Sequence, residues 1–363
     1  MNILYDGEIY KMQMAGGVNR YFANLISRLP ADISPSISVR QVPALNWPDN
    51  SNLQVIRYNL FKPRRISARL EKHYFNFVLG LRKYDLFHPT YYSSLAQREW
   101  SSYACPVVLT VYDMIHELFA DDMDPSGRSR AEKHQAIANA QAILCISEQT
   151  KRDLMKHCAV PESKITVTYL AADLNADLSH GPEPVPDAPY FLYIGTRASY
   201  KNFDGLLQAL SKVATSRRDF ALCIVGSALT ADEHQRIDEL GLSGHIEFYG
   251  HADDAQLAKL YRCSLAFVYP SLYEGFGIPP LEAMQCGTIV VASNSSSIPE
   301  VVGDAALTFD PRDTNELSDI LLSVLRGEVD REALIARGHE RAKMFNWQKT
   351  VDETVAVYRA LAA

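Results

Sequence analysis

Short apolar runs alternate with helix-patterned stretches along nearly the whole chain, and this rhythm restricts the fold more than any other feature. In the second half the apolar runs fall at residues 190–194, 220–225, 245–249, 265–269, 288–292 and 306–309, with polar-patterned helical stretches at 203–216, 231–240 and 254–262. Strands that alternate with helices need crossover connections, so they run parallel and are covered on both faces. The first half repeats the theme at 3–5, 85–88, 107–111, 142–146 and 165–169. Residues 174–189, rich in proline and small polar residues, read as a linker. The expected architecture is α/β: two doubly wound domains, residues 1–174 and 188–346, facing each other across a cleft. A last helix, about 347–363, is free to pack on either domain.

A chain of 363 residues is also too long for one core, which supports two domains. The net charge of −7 excludes a typical nucleic-acid binder, whose basic footprint dominates its balance. Six cysteines (Cys105, Cys145, Cys158, Cys223, Cys263, Cys286) form no CxxC pair and read as buried free thiols of a reducing compartment. The chain enters a strand at Asn2 with no signal-peptide pattern, and no apolar run approaches the ~20 residues that span a bilayer. A cytoplasmic location is expected.

Within this framework one loop is dense in chemistry. Glu274 follows the apolar run 265–269, and Glu282 lies eight positions on, past Gly275, Phe276, Gly277, Ile278 and two prolines. Pro279 and Pro280 mark a helix start, because the first helical residues have no use for their N–H groups. Glu274 is therefore placed on a strand-end loop and Glu282 in the first turns of a helix. N–H groups at the helix start favour anions, and the two glycines permit close approach to the main chain. This suits a phosphorylated sugar. Arg197 and Lys201 follow the run 190–194 four residues apart, and a guanidinium fork beside an ammonium at a helix entry suits a diphosphate.

Three further segments bear on function. Gly16 and Gly17 precede a helix at 18–29 and permit either a close phosphate or sugar approach or a structural turn. Asp113, His116 and Glu117 gather after the run 107–111, where binding residues collect. Residues 57–83 hold eight cations (Arg57, Lys62, Arg64, Arg65, Arg69, Lys72, Arg82, Lys83), one acid (Glu71) and interleaved aromatics. That segment suits either an anionic membrane surface or a solvated helix packed on the core. Ser147 reads as a helix cap, as does the end of the polar loop 294–300.

Taken together these motifs resemble the retaining glycosyltransferases of family 4, which have the GT-B fold of two Rossmann-like domains. The resemblance covers nearly the whole chain: the loop at Gly16 and Gly17, the GxRxxxKN-type segment at 195–202, the EGFGIPPLE segment at 274–282 and the stretch 303–311. It implies that Glu274 contacts the donor sugar near its reacting carbon, that Glu282 binds the ribose, and that Arg197 and Lys201 hold the diphosphate. Gly16 and Gly17 match a loop over the donor, and Gly275, Phe276, Gly277 and Ile278 line it. The segment 110–117 resembles bacterial mannosyltransferase-like members that build surface polysaccharide or O-antigen, with Tyr112 where many relatives carry His. Asp113 and His116 both remain candidates for the sugar contact. The implied activity is transfer of a hexose to a glycan or lipid-linked acceptor, with a nucleotide sugar as co-substrate. A GDP-linked mannose or deoxyhexose comes first, and UDP-sugars next. No metal or other cofactor is expected, since Asp121, Asp122, Asp253 and Asp254 read as loop and helix-start acids. The alternatives are a sugar-nucleotide 2-epimerase of the same architecture and a non-catalytic nucleotide-sugar-binding partner. A place at the inner face of a membrane is an expectation attached to residues 57–83.

Overall fold

The computed structural model describes residues 1–13, 16–43, 45–174, 177–178 and 181–362. They form two units: one holds Met1–Leu170 and the helix Trp347–Ala362, the other Ala171–Asn346. The first contains β1 (Asn2–Asp6), β2 (Ser34–Val39), β3 (Gln54–Arg57), β4 (Leu86–Pro89), β5 (Val108–Val111), β6 (Ala142–Cys145) and β7 (Ile165–Val167). Their order is β3-β2-β1-β4, then β5-β6-β7, joined by a parallel bridge between Phe87 and Val107. The second unit contains β8 (Tyr190–Ile194), β9 (Ala221–Val225), β10 (Ile246–Phe248), β11 (Ala266–Tyr269), β12 (Val290–Ser293) and β13 (Leu307–Phe309), ordered β10-β9-β8-β11-β12-β13. All paired strands are parallel, so each unit is a Rossmann-like doubly wound sheet.

Burial explains the apolar runs. In the second unit Phe191, Leu222, Val268 and Val291 from the strands pack with Leu206, Leu210, Leu317 and Leu321 from the helices, all fully buried. In the first, Tyr5, Phe22 and His88 form an aromatic cluster completed by Tyr358. The Tyr358 hydroxyl lies 3.2 Å from that of Tyr5 and 2.5 Å from His88 Nδ1. Burial pushes the His88 imidazole down to about 3, so it stays neutral. The last helix thus belongs to the first unit.

The structure corrects several expectations. β2 and β3 lie outside the expected strands. Within the expected linker, Lys259 Nζ donates to the carbonyls of Gly181 and Glu183 at 2.8 and 2.6 Å. Residues 175, 176, 179 and 180 lie outside the described residues. Of the cysteines, all free, Cys145, Cys223 and Cys286 are buried, Cys105 and Cys158 are half-buried, and Cys263 is exposed.

Candidate active site

In the second unit the chain winds from β8 outward to β10, then returns to β11 on the other side of β8. The loops after β8 and β11 therefore flank the point where winding reverses, which is where such sheets bind ligands. The two loops are stitched together. Asn202, held at φ 55°, donates from Nδ2 to the carbonyls of Pro270 and Pro311 at 3.1 and 2.8 Å. The Leu272 N–H donates to the Tyr200 carbonyl at 2.7 Å. Residues Ser199–Lys201 make a short 3₁₀ turn, and the helix Phe203–Ala214 starts only after Asn202.

This stitching brings Lys201 onto Glu274. The ammonium donates to both carboxylate oxygens, at 2.7 and 2.9 Å, and Ser271 adds its hydroxyl at 2.6 Å. The carboxylate is 7% exposed, and Lys201 lies 5.7 Å from the centre of the buried Tyr269 ring. Burial, and after it the Glu274 charge, push the Tyr269 phenol well up, so it stays protonated. The Glu274 carbonyl accepts from Ser296 and Ser297 at 2.6 and 2.8 Å, and Ser297 also bonds the Phe276 carbonyl at 2.7 Å. Ser297 therefore braces this loop and does not cap the helix Ile298–Val302, which corrects the expected cap. Ser147, by contrast, does cap its helix through the Thr150 N–H. Ser296 sits in the left-handed region at φ 59°, a strained setting characteristic of functional loops.

Gly277, at φ 134°, turns the chain into the helix Ile278–Gln285. Gly275, Phe276 and Ile278 surround that turn, and Phe276 packs edge-on against Phe345 with ring centres 5.6 Å apart. Glu282 is also buried and accepts the Tyr261 hydroxyl at 3.2 Å.

Arg197 meets different partners from Lys201. Its guanidinium meets Glu233 at 2.5 Å (Nε–Oε1) and 3.1 Å (Nη2–Oε2), and Nη2 also donates to the carbonyls of Ser227 and Ala228. Glu233 is itself locked by a reciprocal capping box with Thr230. Burial alone raises the Glu233 carboxyl, but the bonds from Arg197 and the Thr230 N–H outweigh it and hold the carboxyl below the usual range. The ends of β8 and β9 meet here at Gly226, where φ is 151° and an added Cβ would lie 2.6 Å from the Gly195 carbonyl oxygen.

In the first unit Asp113 and His116 flank the start of the short helix Ile115–Leu118 after β5. Asp113 accepts the Ile115 N–H at 3.0 Å. The His116 Nδ1 is buried and has no hydrogen-bond partner among the described residues. Behind them Lys133, fully buried, donates to Glu117 Oε2 at 2.8 Å and to the Asp113 carbonyl at 3.1 Å. Gly16 and Gly17 open the helix Gly17–Ser27, while Met14 and Ala15 of the same segment lie outside the described residues. At the end of β1, Asp6 accepts the N–H groups of Leu95 and Glu8; burial, with Glu8 beside it, pushes its carboxyl up to about 7.

The chain matches two family models, "Glycosyltransferase Family 4" over residues 15–176 and "Glycosyl transferases group 1" over residues 178–341. It is 32% identical to the O-antigen chain mannosyltransferase B of Escherichia coli, over 99% of this chain and 100% of that protein. The chain belongs to glycosyltransferase family 4. The fold is similar to that of sucrose-phosphate synthase from Thermosynechococcus elongatus, at a TM-score of 0.73, 20% identity and 99% coverage of both chains. Anabaena HepE, solved with UDP and glucose, aligns at a TM-score of 0.74 with 17% identity, covering 99% of this chain and 100% of that one. Beyond the expected residues, the loops of this candidate site also engage Ser271, Ser296, Ser297 and Glu233. Of these, the serine loop and the Thr230–Glu233 capping pattern leave a mark in the sequence.

Proposed function

We propose that this chain is a retaining, metal-independent mannosyltransferase, moving mannose or a deoxyhexose from a GDP-sugar to a glycan or lipid-linked acceptor of a surface polysaccharide. The observation that carries the reading is the Lys201–Glu274 pair at the strand reversal. The similarity to the O-antigen mannosyltransferase supports the choice of sugar. Glu274 holds the sugar, Glu282 the ribose, and Lys201 and Arg197 the diphosphate, while Gly275, Phe276, Gly277 and Ile278 line the donor. As the bond between the anomeric carbon and the phosphate oxygen breaks, negative charge grows on the leaving diphosphate, and two fixed cations stabilise it without a metal. The acceptor oxygen bonds the same face of that carbon, and its proton passes to the departing phosphate oxygen.

Incubation with a panel of GDP- and UDP-sugars, with and without acceptor and with and without EDTA, tests this. The expected result is acceptor-dependent transfer from a GDP-sugar, retained anomeric configuration by NMR, and no loss with EDTA. Interconversion of sugar nucleotides without acceptor would favour the epimerase instead, and inverted product or EDTA-sensitive turnover would end the proposed mechanism.

Membrane attachment is part of the same proposal, supported by the helix Arg64–Gly80. Ser67, Glu71, Phe75 and Leu79 form its buried face, and Glu71 is paired with Arg40. Ile66, Leu70, Phe77 and Leu81 recur on the other side at 52, 45, 68 and 69% exposure. Arg65, Arg69 and Lys72 flank that apolar stripe, as on helices that lie in an anionic interface. Among the described residues no helix is long and apolar enough to cross a membrane. Each cation near an anionic surface contributes about 1 kcal/mol, so replacing Arg64, Arg65 and Arg69 with Gln weakens binding to phosphatidylglycerol vesicles about a hundredfold. Equal sedimentation of variant and parent with those vesicles would remove the membrane role.

A further inference from the structure

Arg197 has five N–H groups to satisfy, and the structure shows where most of them go. Nε and Nη2 are taken by Glu233 and by the carbonyls of Ser227 and Ala228. Nη1 is buried and has no hydrogen-bond partner among the described residues. The side chain is only 5% exposed, and the guanidinium lies over the Phe203 ring at 5.8 Å. A buried donor on a charged group is costly to leave unmatched, so such a vacancy calls for an explanation. The bidentate contact with Glu233 fixes the guanidinium plane, and the capping box fixes Glu233. Two of the three nitrogens are thereby committed, and the third is held in place and left over.

We propose that Glu233 is a positioning residue that orients Arg197 so that Nη1 donates to an oxygen of the donor's diphosphate. The proposal rests on the reading of Arg197 as a diphosphate ligand. The sign of the effect separates it from simple charge. A carboxylate that merely sat near the diphosphate would repel it, and its removal would tighten binding. A carboxylate that orients Arg197 gives the opposite result.

The test is calorimetric titration of GDP and of UDP, with donor KM and kcat measured alongside. Glu233→Ala is expected to weaken nucleoside diphosphate binding about tenfold. Glu233→Gln is expected to weaken it less, because the amide oxygen still accepts one N–H. Thr230→Ala, which loses the hydroxyl cap but keeps the ion pair, is expected to bind like the parent even if its Tm falls. In an Arg197→Ala background, Glu233→Ala adds nothing, because both act through one group. If Glu233→Ala misfolds, Glu233→Gln carries the test. Parent-like or tighter binding in the Glu233 variants, with weaker binding in Arg197→Ala, overturns the positioning role alone, and additive losses overturn it too. Parent-like binding in Arg197→Ala overturns the diphosphate reading beneath it.

Discussion

Replacing Glu274 or Lys201 with alanine is expected to lower transfer at least about a hundredfold, the size of loss seen when one fixed charge-stabilising group is removed. The two side chains form a single unit, with both carboxylate oxygens on the ammonium and the Ser271 hydroxyl completing the contact. Taking away Glu274 leaves Lys201 over the Tyr269 ring without its counter-ion; taking away Lys201 leaves a nearly buried carboxylate in the same position. On the proposed assignment, each single change is therefore expected to disturb placement of both sugar and diphosphate. The double variant is expected to lose little more than either single one, because groups that act as a unit are strongly non-additive. Steady-state kinetics on all three, with Tm as a check on folding, decides the matter. Turnover near that of the parent in either single variant would sink the assignment.

The second large effect is expected in stability. Lys133→Met should cost about 3–5 kcal/mol, the usual penalty for removing one member of a buried ion pair. Lys133 is fully buried and Glu117 only 2% exposed, 2.8 Å apart, so water cannot take the place of the lost ammonium. His134 Nε2 reaches the other Glu117 oxygen at 3.1 Å, and that contact remains in the variant. Adding Glu117→Gln should restore part of the stability, because the amide no longer buries an uncompensated charge. Urea unfolding of single and double variants measures this coupling. A single variant as stable as the parent would show that the pair does not hold the loop.

How much of this was legible in the sequence follows from how local each feature is. The strand–helix rhythm was legible because parallel strands buried on both faces become apolar runs. β2 was not, because it reads Ser-Pro-Ser-Ile-Ser-Val, and its Ser36 and Ser38 are buried hydroxyls where an apolar run is the usual signal. The helix start at Pro279 and Pro280 was legible because proline acts on its own backbone. Contacts made across the sheet were not. Thr230 and Glu233 carry the spacing of a capping box, yet nothing nearby in the chain links Glu233 to Arg197. Lys133 lies in Arg128-Ser-Arg-Ala-Glu-Lys-His, which has the look of a solvated helix face, and only the tertiary fold turns its side chain inward. Arg197 and Lys201 lie four apart in sequence, and that spacing does not reveal that they meet different partners, Glu233 and Glu274.

The contact between Tyr5 and Tyr358 joins residues 353 positions apart. During synthesis, β1 emerges well before Tyr358, so the contacts of Tyr358 with Tyr5 and His88 are made late. By then the whole of Ala171–Asn346 has left the ribosome, with its own sheet and its own core. The half of the protein made first is therefore the last to be finished, and for most of translation its aromatic cluster lacks one wall.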